Sequence, residues 1–454
     1  MATKEKVRDP YRLTVGKQLG WSGRAVSLAS NVTVLTYITF YCTNMLGMAP
    51  VLVGTLLMAS KIFDGVTDLA AGVLIDRTNT KWGKARPYEF SIFGVWIATI
   101  LLFSCPELGT VGKSIWVFLT YTFVNSIFAT LLNASEAVYL VRAFKYDDDR
   151  NKLVSVNGLL VTLGATVISI VFPILMGTLG TSRGGWTTMM LIVGIPLALI
   201  GFSRFLVVKE INDEVAAPST KLEAKDFLPA LKNKYVWILV IDTLFVFMIQ
   251  NGNSAVGTYY FQYIVGDVAL MSTVGMLGLV SPFLLLFMPK LLQKISITQL
   301  FSYFFVIGAV GGILRQFAGA NMALIMISSI LLTLALLPPS YFNLILITYI
   351  MDYHEWKTGN RVEGVIAAIN SFSSKLAGGL ASGGVGLIMG MAGFDGTAAV
   401  ITGGARAAIV ALYGIVPGVL FIACFIVMRF FDLEKKLPQI RSELAERRAA
   451  KAAE

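Results

Sequence analysis

The chain is poor in charge. Asp, Glu, Lys and Arg make up 14% of its 454 residues, where a soluble domain carries about 25%. It has one histidine, His354. That excludes a pair of histidines on a metal, and the position, in a polar stretch between apolar runs, excludes an intramembrane relay through it. The three cysteines, Cys42, Cys105 and Cys424, lack metal-ligand spacing and lie in or beside apolar segments. They read as free thiols. No glycine-rich phosphate loop is present, so ATP-driven transport by this chain alone is not expected. No base stands beside a serine in the apolar runs, and no enzyme activity or cofactor is expected.

What the chain has is apolar length. Its hydrophobic content is 56% and its mean hydropathy +0.72. Apolar runs of roughly twenty residues recur from end to end, enough to cross a bilayer as helices. They are too long for barrel strands and do not alternate strictly. The expected class is an all-α membrane protein. Twelve spans are predicted, at 25–46, 51–75, 88–105, 114–140, 153–178, 187–208, 235–263, 268–289, 298–317, 322–350, 362–392 and 405–430. The first residues are polar and basic (Lys4, Lys6, Arg8, Arg12, Lys17). No cleavable signal is expected, and the first run reads as a retained span.

The net charge is +10, and its placement matters more than its sum. Alternate connections are basic: Arg77 to Arg86, Arg142 to Lys152, Lys209 to Lys234, Lys290 and Lys294, Lys357 and Arg361. The other connections hold only Lys113, Arg183, Arg315 and Arg406. This is a topology signal rather than a nucleic-acid face, and it places both ends in the cytoplasm. The longest polar connection lies mid-chain. It divides the sequence into an N-terminal six-helix bundle (1–208), a central cytoplasmic loop (209–234) and a C-terminal six-helix bundle with a basic tail (235–454). Six plus six is the two-repeat plan of many secondary transporters. The eleventh span is rich in small residues, among them Gly383, Gly384, Gly386 and Gly390, which let helices approach closely.

Charges inside spans mark sites of function. Lys61, Asp64 and Asp68 lie in the second span, at spacings that put them on one helical face. Two carboxylates in a low-dielectric site do not both ionise freely unless a cation joins them. Otherwise one takes a proton. Either outcome describes a site for Na⁺, Li⁺ or H⁺. Thr67 adds a hydroxyl, and Lys61 is either a structural partner of Asp64 or part of the coupling. Lys375, alone in the eleventh span, is a fixed cation that could balance the carboxylates when the ion leaves. Glu136 in the fourth span either lines a cavity or pairs with a base such as Arg142. Asn133, Asn157, Asn370 and Ser371 add polar atoms suited to a hydroxyl-rich ligand. Asp242, Asp267, Glu89 and Arg429 fall nearer span ends and are expected at the membrane surface.

Two blocks carry a family resemblance. Lys61–Pro87, KIFDGVTDLAAGVLIDRTNTKWGKARP, resembles the second span and following loop of the glycoside–pentoside–hexuronide:cation symporters. Asp352–Lys375, DYHEWKTGNRVEGVIAAINSFSSK, resembles their tenth-to-eleventh loop and eleventh span. The first hairpin, with Phe40-Tyr41-Cys42-Thr43, Gly47 and Val53-Gly54-Thr55, is similar too. The resemblance implies the major facilitator fold. It implies a cation site at Asp64, Asp68, Thr67 and Thr130, with Lys375 associated with it. It also implies sugar-site positions at Asn370 and Ser371. The sugar half departs from the family's melibiose carriers. Leu28 stands in place of an acid on the first span, Asn133 in place of an aspartate, and Asn157 in place of an arginine.

The expected function is symport of a sugar, glycoside or uronide with Na⁺ or H⁺, by a monomer in a bacterial inner membrane. Its partners would be the sugar, a monovalent cation and lipid. Two alternatives are a carrier of an amphipathic non-sugar molecule and a membrane receptor that binds without transport.

Overall fold

The computed structural model describes residues 12–210, 229–280, 283–284, 288–359, 363–398 and 400–453. The described residues are helical, and the one β-bridge among them joins Thr80 to Gly83. Most of the central loop, with Lys221 and Lys225, lies outside them, as does Arg361.

In chain order the helices are α1 (Val15–Met45), α2 (Pro50–Arg77), α3 (Ser91–Leu102), α4 (Thr110–Ala143), α5 (Asp147–Leu179) and α6 (Arg183–Val207). Then come α7 (Lys234–Val265), a run of short turns α8 (Val268–Leu279), α9 (Ile297–Gln316), α10 (Met322–Thr358) and α11 (Glu363–Met391). The last are α12, broken at Gly414 into Gly403–Tyr413 and Ile415–Met428, and α13 (Leu433–Ala453). Eight stretches of the described chain are long and apolar enough to cross a membrane. Large apolar side chains point outward along them, such as Ile192, Ile195 and Leu199 of α6. Such faces are stable against lipid and not against water.

Helix ends follow local chemistry. Ser296 and Gln299 form a capping box at the start of α9, and Asn321 caps α10 through two backbone N–H groups. Gly266 (φ 89°) ends α7 and Gly359 (φ 76°) ends α10, both in the left-handed region that glycine enters freely. The late stop of α10 corrects one expectation. The stretch Asp352–Lys357 is not a loop: it continues the helix, and His354 is buried in it, 2% exposed. The predicted span 268–289 also differs. Its described part is a chain of short 3₁₀ and α turns.

The chain divides into two compact units, Met1–Met48 with Ala59–Ser219, and Ala49–Met58 with Thr220–Glu454. In the first unit α1 packs on α5 and α6, and α3 packs on α4 and α6. In the second, α7 packs on α11 and α12, and α9 packs on α10 and α12. This is the same set of pairings shifted by six helices. A further detail repeats. The first helix of each unit ends in a π-helical turn, Tyr41–Met45 and Phe261–Val265, followed by a glycine at positive φ, Gly47 and Gly266.

A carboxylate cap repeats as well. Glu210, just after α6, accepts the backbone N–H groups of Lys84, Ala85 and Arg86 at 2.9, 2.7 and 2.6 Å. Glu434, early in α13, accepts those of Ile297 and Thr298 at 3.0 Å each. Both satisfy orphan donors at a helix start, where the dipole favours negative charge. Gly83 has φ 116°, and a Cβ there would run into the Glu210 carboxylate, so glycine is required on both counts.

Candidate cation and sugar sites

The first unit brings the acids of α2 to the middle of α4. Asp64 is 5% exposed and Thr130 4%. The Thr130 hydroxyl lies 3.2 Å from Asp64 Oδ1 and 3.3 Å from Asp68 Oδ1. It is also 3.1 Å from the carbonyl oxygen of Asn125, five residues back. That spacing is the mark of the π-helical segment Phe123–Ala129, which immediately precedes Thr130. The extra residue in the turn rotates Thr130 toward α2. Such bulges often build functional sites.

One hydroxyl has one proton and two lone pairs. It can donate to one of the three oxygens around it at a time. Two carboxylates and a hydroxyl at these distances form a compact set of hard oxygen atoms, which suits a proton or a small monovalent cation. Among the described residues there is no cluster of three or more His, Cys, Asp or Glu that would hold a multivalent metal.

Lys61 gives its ammonium to Asn125 Oδ1 at 3.0 Å and sits 5.6 Å over the Tyr121 ring. It is thus tied to the same π-helical segment that positions Thr130. Thr67 donates back to its own helix, to the carbonyls of Phe63 (3.3 Å) and Asp64 (3.1 Å). Its lone pairs are left for another partner.

Thr130, Asn133 and Glu136 follow one another at helical spacing along α4. Asn133 is exposed. Asn157 on α5 is half-buried, and its Oδ1 has no hydrogen-bond partner among the described residues. An unpaired buried acceptor is costly unless water or a ligand hydroxyl meets it. Glu136 belongs to a four-charge cluster. Arg204 of α6 holds it with two bonds, at 2.6 and 3.1 Å, and Arg24 of α1 makes an ion pair with it. Glu89 lies 3.6 Å from Arg204 and 3.9 Å from Arg24. Arg204 also donates to the Trp21 carbonyl and stacks 3.6 Å over the Trp21 ring.

The partner proposed for Glu136 therefore needs correcting. Arg142 lies 3.9 Å from Glu210 instead, because it sits near the end of α4, close to the capped turn before α3. Glu89 is buried among these charges, at 0% exposed. Two cations and two anions balance locally, which is how charges survive burial. Arg24 and Arg204 are lone charges in or beside apolar runs. That was the available signal, but nothing in the sequence says which acid each one meets.

The second unit holds a separate polar cluster. Asn370 Oδ1 accepts from Thr243 of α7 at 2.8 Å and from Asn343 of α10 at 3.3 Å. Asn343 Oδ1 is buried and has no partner among the described residues. Ser371 is exposed, Lys375 half-buried, and both lie on α11 with Asn370. Thr243 and Asn343 carried no sequence signal beyond being polar in an apolar run. Asp242, beside Thr243, is 2% exposed.

Comparisons with known proteins agree with this architecture. The chain is 28% identical over 429 residues to the isoprimeverose transporter of Lactiplantibacillus pentosus, covering 92% of this chain and 88% of that one. It is 26% identical over 453 residues to the putative glycoside/cation symporter YagG of Escherichia coli (strain K12), covering 97% and 96%. Among solved structures, a bacterial homologue of the human lysosomal transporter Spinster superposes with a TM-score of 0.68 at 13% identity, covering 91% and 96%. A D-xylose-proton symporter gives 0.65 at 13% identity, covering 92% and 97%. These structures speak for the fold alone. The family described as MFS/sugar transport protein matches residues 21–435. This multi-pass membrane chain therefore belongs to the MFS/sugar transport protein family.

Proposed function

We propose that the chain is a cation-coupled symporter of a sugar or glycoside, working by alternating access from twelve spans, with both termini in the cytoplasm of a bacterium. The observation that carries this reading is the Thr130 hydroxyl between two carboxylates at 3.2 and 3.3 Å. A site of that kind inside a membrane is costly to build and useful for binding a cation. The similarity to an isoprimeverose transporter and to a putative glycoside/cation symporter supports the cargo class. A third relative, 24% identical over 454 residues, is the inner membrane symporter YicJ of Escherichia coli (strain K12), which supports the location.

The coupling ion, Na⁺, Li⁺ or H⁺, sits between Asp64 and Asp68. Thr130 then turns its proton to the Asn125 carbonyl and offers lone pairs to the ion. Thr67 adds a further oxygen. Lys61 holds Asn125 in place through its side-chain carbonyl. Lys375 responds to the charge of the carboxylate pair when the ion leaves. Asn133, Asn157, Asn370 and Ser371 recognise the sugar, with the unpaired Oδ1 atoms of Asn157 and Asn343 as acceptors for its hydroxyls. Glu136 shapes the sugar cavity from its partly open side, locked by Arg204 and Arg24. A set of three amides and a hydroxyl, none of them charged, suits a cargo held by hydrogen bonds. Coupling is reciprocal: each ligand raises the affinity of the site for the other by the same factor.

The test is uptake by the purified protein in vesicles. A panel of pentose-containing glycosides, galactosides and uronides is offered under inward Na⁺ or proton gradients. Gradient-driven accumulation of one class is expected. Binding without accumulation of any sugar under either gradient would sink the proposal.

A further inference from the structure

The second unit contains a buried acid that the proposed transport cycle does not use. Asp242 lies just over two turns into α7, roughly 12 Å from the helix start at about 1.5 Å per residue. It is 2% exposed. Leu239 and Val246, one turn before and one after, belong to the apolar core of this unit, as does Cys424 of α12. Asp242 Oδ1 has no hydrogen-bond partner among the described residues.

The elements packed against α7 are α10, α11 and α12. Of their titratable and charged groups, the Cys424 thiol lies within electrostatic reach of Asp242. Asp352 of α10 pairs with Arg441, and Arg406 of α12 donates to the Tyr263 carbonyl. Neither His354 of α10 nor Lys375 of α11 donates a hydrogen bond to Asp242 Oδ1.

An ionised Asp242 would be a bare charge in an apolar core. A group that can neutralise itself does so in such a place. A hard metal ion would need several oxygen ligands, and the core here supplies carbon and a thiol. The proton is the ligand that fits. The position also matters. Thr243, the next residue, makes the 2.8 Å bond to Asn370 of α11. Polar contact between α7 and α11 therefore begins one residue from the buried acid.

We propose that Asp242 is a proton-binding site of the second unit, separate from Asp64 and Asp68. The carboxyl keeps its O–H bond while it is packed in the core. When α7 shifts against α11 and α12 and water enters, that bond breaks, the proton passes to water, and a carboxylate remains. Transport thereby gains a pH dependence that the coupling cation does not set. The site stands whether or not the first unit binds a cation.

Infrared difference spectroscopy of the full-length protein in lipid, titrated with alkali, tests this without any transport assay. A protonated carboxyl band is expected at neutral pH. It should persist in the Asp64→Asn/Asp68→Asn double variant and vanish when Asp242→Asn is added to that background. Asp242→Glu should keep the band at a shifted frequency, and it decides the matter alone if Asp242→Asn does not fold. Sugar exchange by Asp242→Asn should lose the alkaline change shown by the unaltered protein. In the Asp64→Asn/Asp68→Asn background, a band that survives Asp242→Asn, or stays unshifted with Asp242→Glu, overturns the site. An unchanged pH profile of exchange in Asp242→Asn overturns its link to transport.

Discussion

The Thr130 hydroxyl lies 3.2 Å from Asp64 Oδ1, across two helices, because a π-helical turn rotates it there. The contact joins an acid that is visible in the sequence to a neutral residue that only the family resemblance singled out. Asp68 shares the same hydroxyl at 3.3 Å.

Thr130→Ala removes that oxygen and leaves both carboxylates. Hydrogen bonds to charged groups contribute about 1.5–3 kcal/mol, so the cation concentration for half-maximal sugar uptake should rise about tenfold or more. Thr130→Ser should stay near the unaltered protein. Uptake titrated with cation in vesicles checks both. An unchanged titration in Thr130→Ala would remove Thr130 from the site.

Arg204 is 0% exposed and serves both Glu136 and the Trp21 carbonyl. Arg204→Met leaves the buried Glu89 and the half-buried Glu136 facing Arg24 alone. Breaking a buried pair from one side costs about 3–5 kcal/mol. A large drop in thermal stability in detergent is expected. The Arg204→Met/Glu136→Gln double variant should recover part of it, and no recovery would argue against the pairing.

Glu210→Gln keeps the shape of the cap before α3 and removes its charge. Charge-assisted bonds are roughly twice as strong as neutral ones. Hydrogen exchange at Lys84, Ala85 and Arg86 should therefore speed up, while that at Ile297 and Thr298, capped by Glu434, should not change. Equal protection at both sites in the variant would count against the cap.

Asp432, between α12 and α13, is held well below the usual carboxylate range by the Lys436 ammonium, with the Tyr235 hydroxyl adding to it. A folded value below the unfolded one gives a contribution that is present above the ordinary carboxylate pKa. It is lost as pH falls through the folded value. From neutral pH down to mild acid the docking of α13 should be steady. Asp432→Asn should loosen it already at neutral pH, more at low than at high salt, since the group is partly exposed. Hydrogen exchange along α13 reads this. Equal protection in variant and parent would remove the ion pair from the docking.

How much was legible depended on distance along the chain. Asp64 and Asp68 stood out because charge in an apolar run at a spacing of four is rare. The run lengths foretold most helices, since apolar length and caps are local. The cluster of Arg24, Glu89, Glu136 and Arg204 was not legible, because each partner lies on a different element. His354 was misplaced because its polar neighbours looked like a loop, while the real stop is Gly359. The burial of Asp242 was not legible either, because the helices that pack over it, α11 and α12, lie far along the chain. Asn343 and Thr243 gave no sign, since a lone polar residue in a helix usually bonds to its own backbone.

Sugar accumulation by Asp68→Asn, measured in vesicles beside its own sugar exchange, tests the cation site most directly. Accumulation should fall to passive equilibration whatever the cation gradient, while exchange of sugar across the membrane continues. Accumulation against the sugar gradient at the level of the unaltered protein would contradict the Asp64–Asp68 pair as the coupling site.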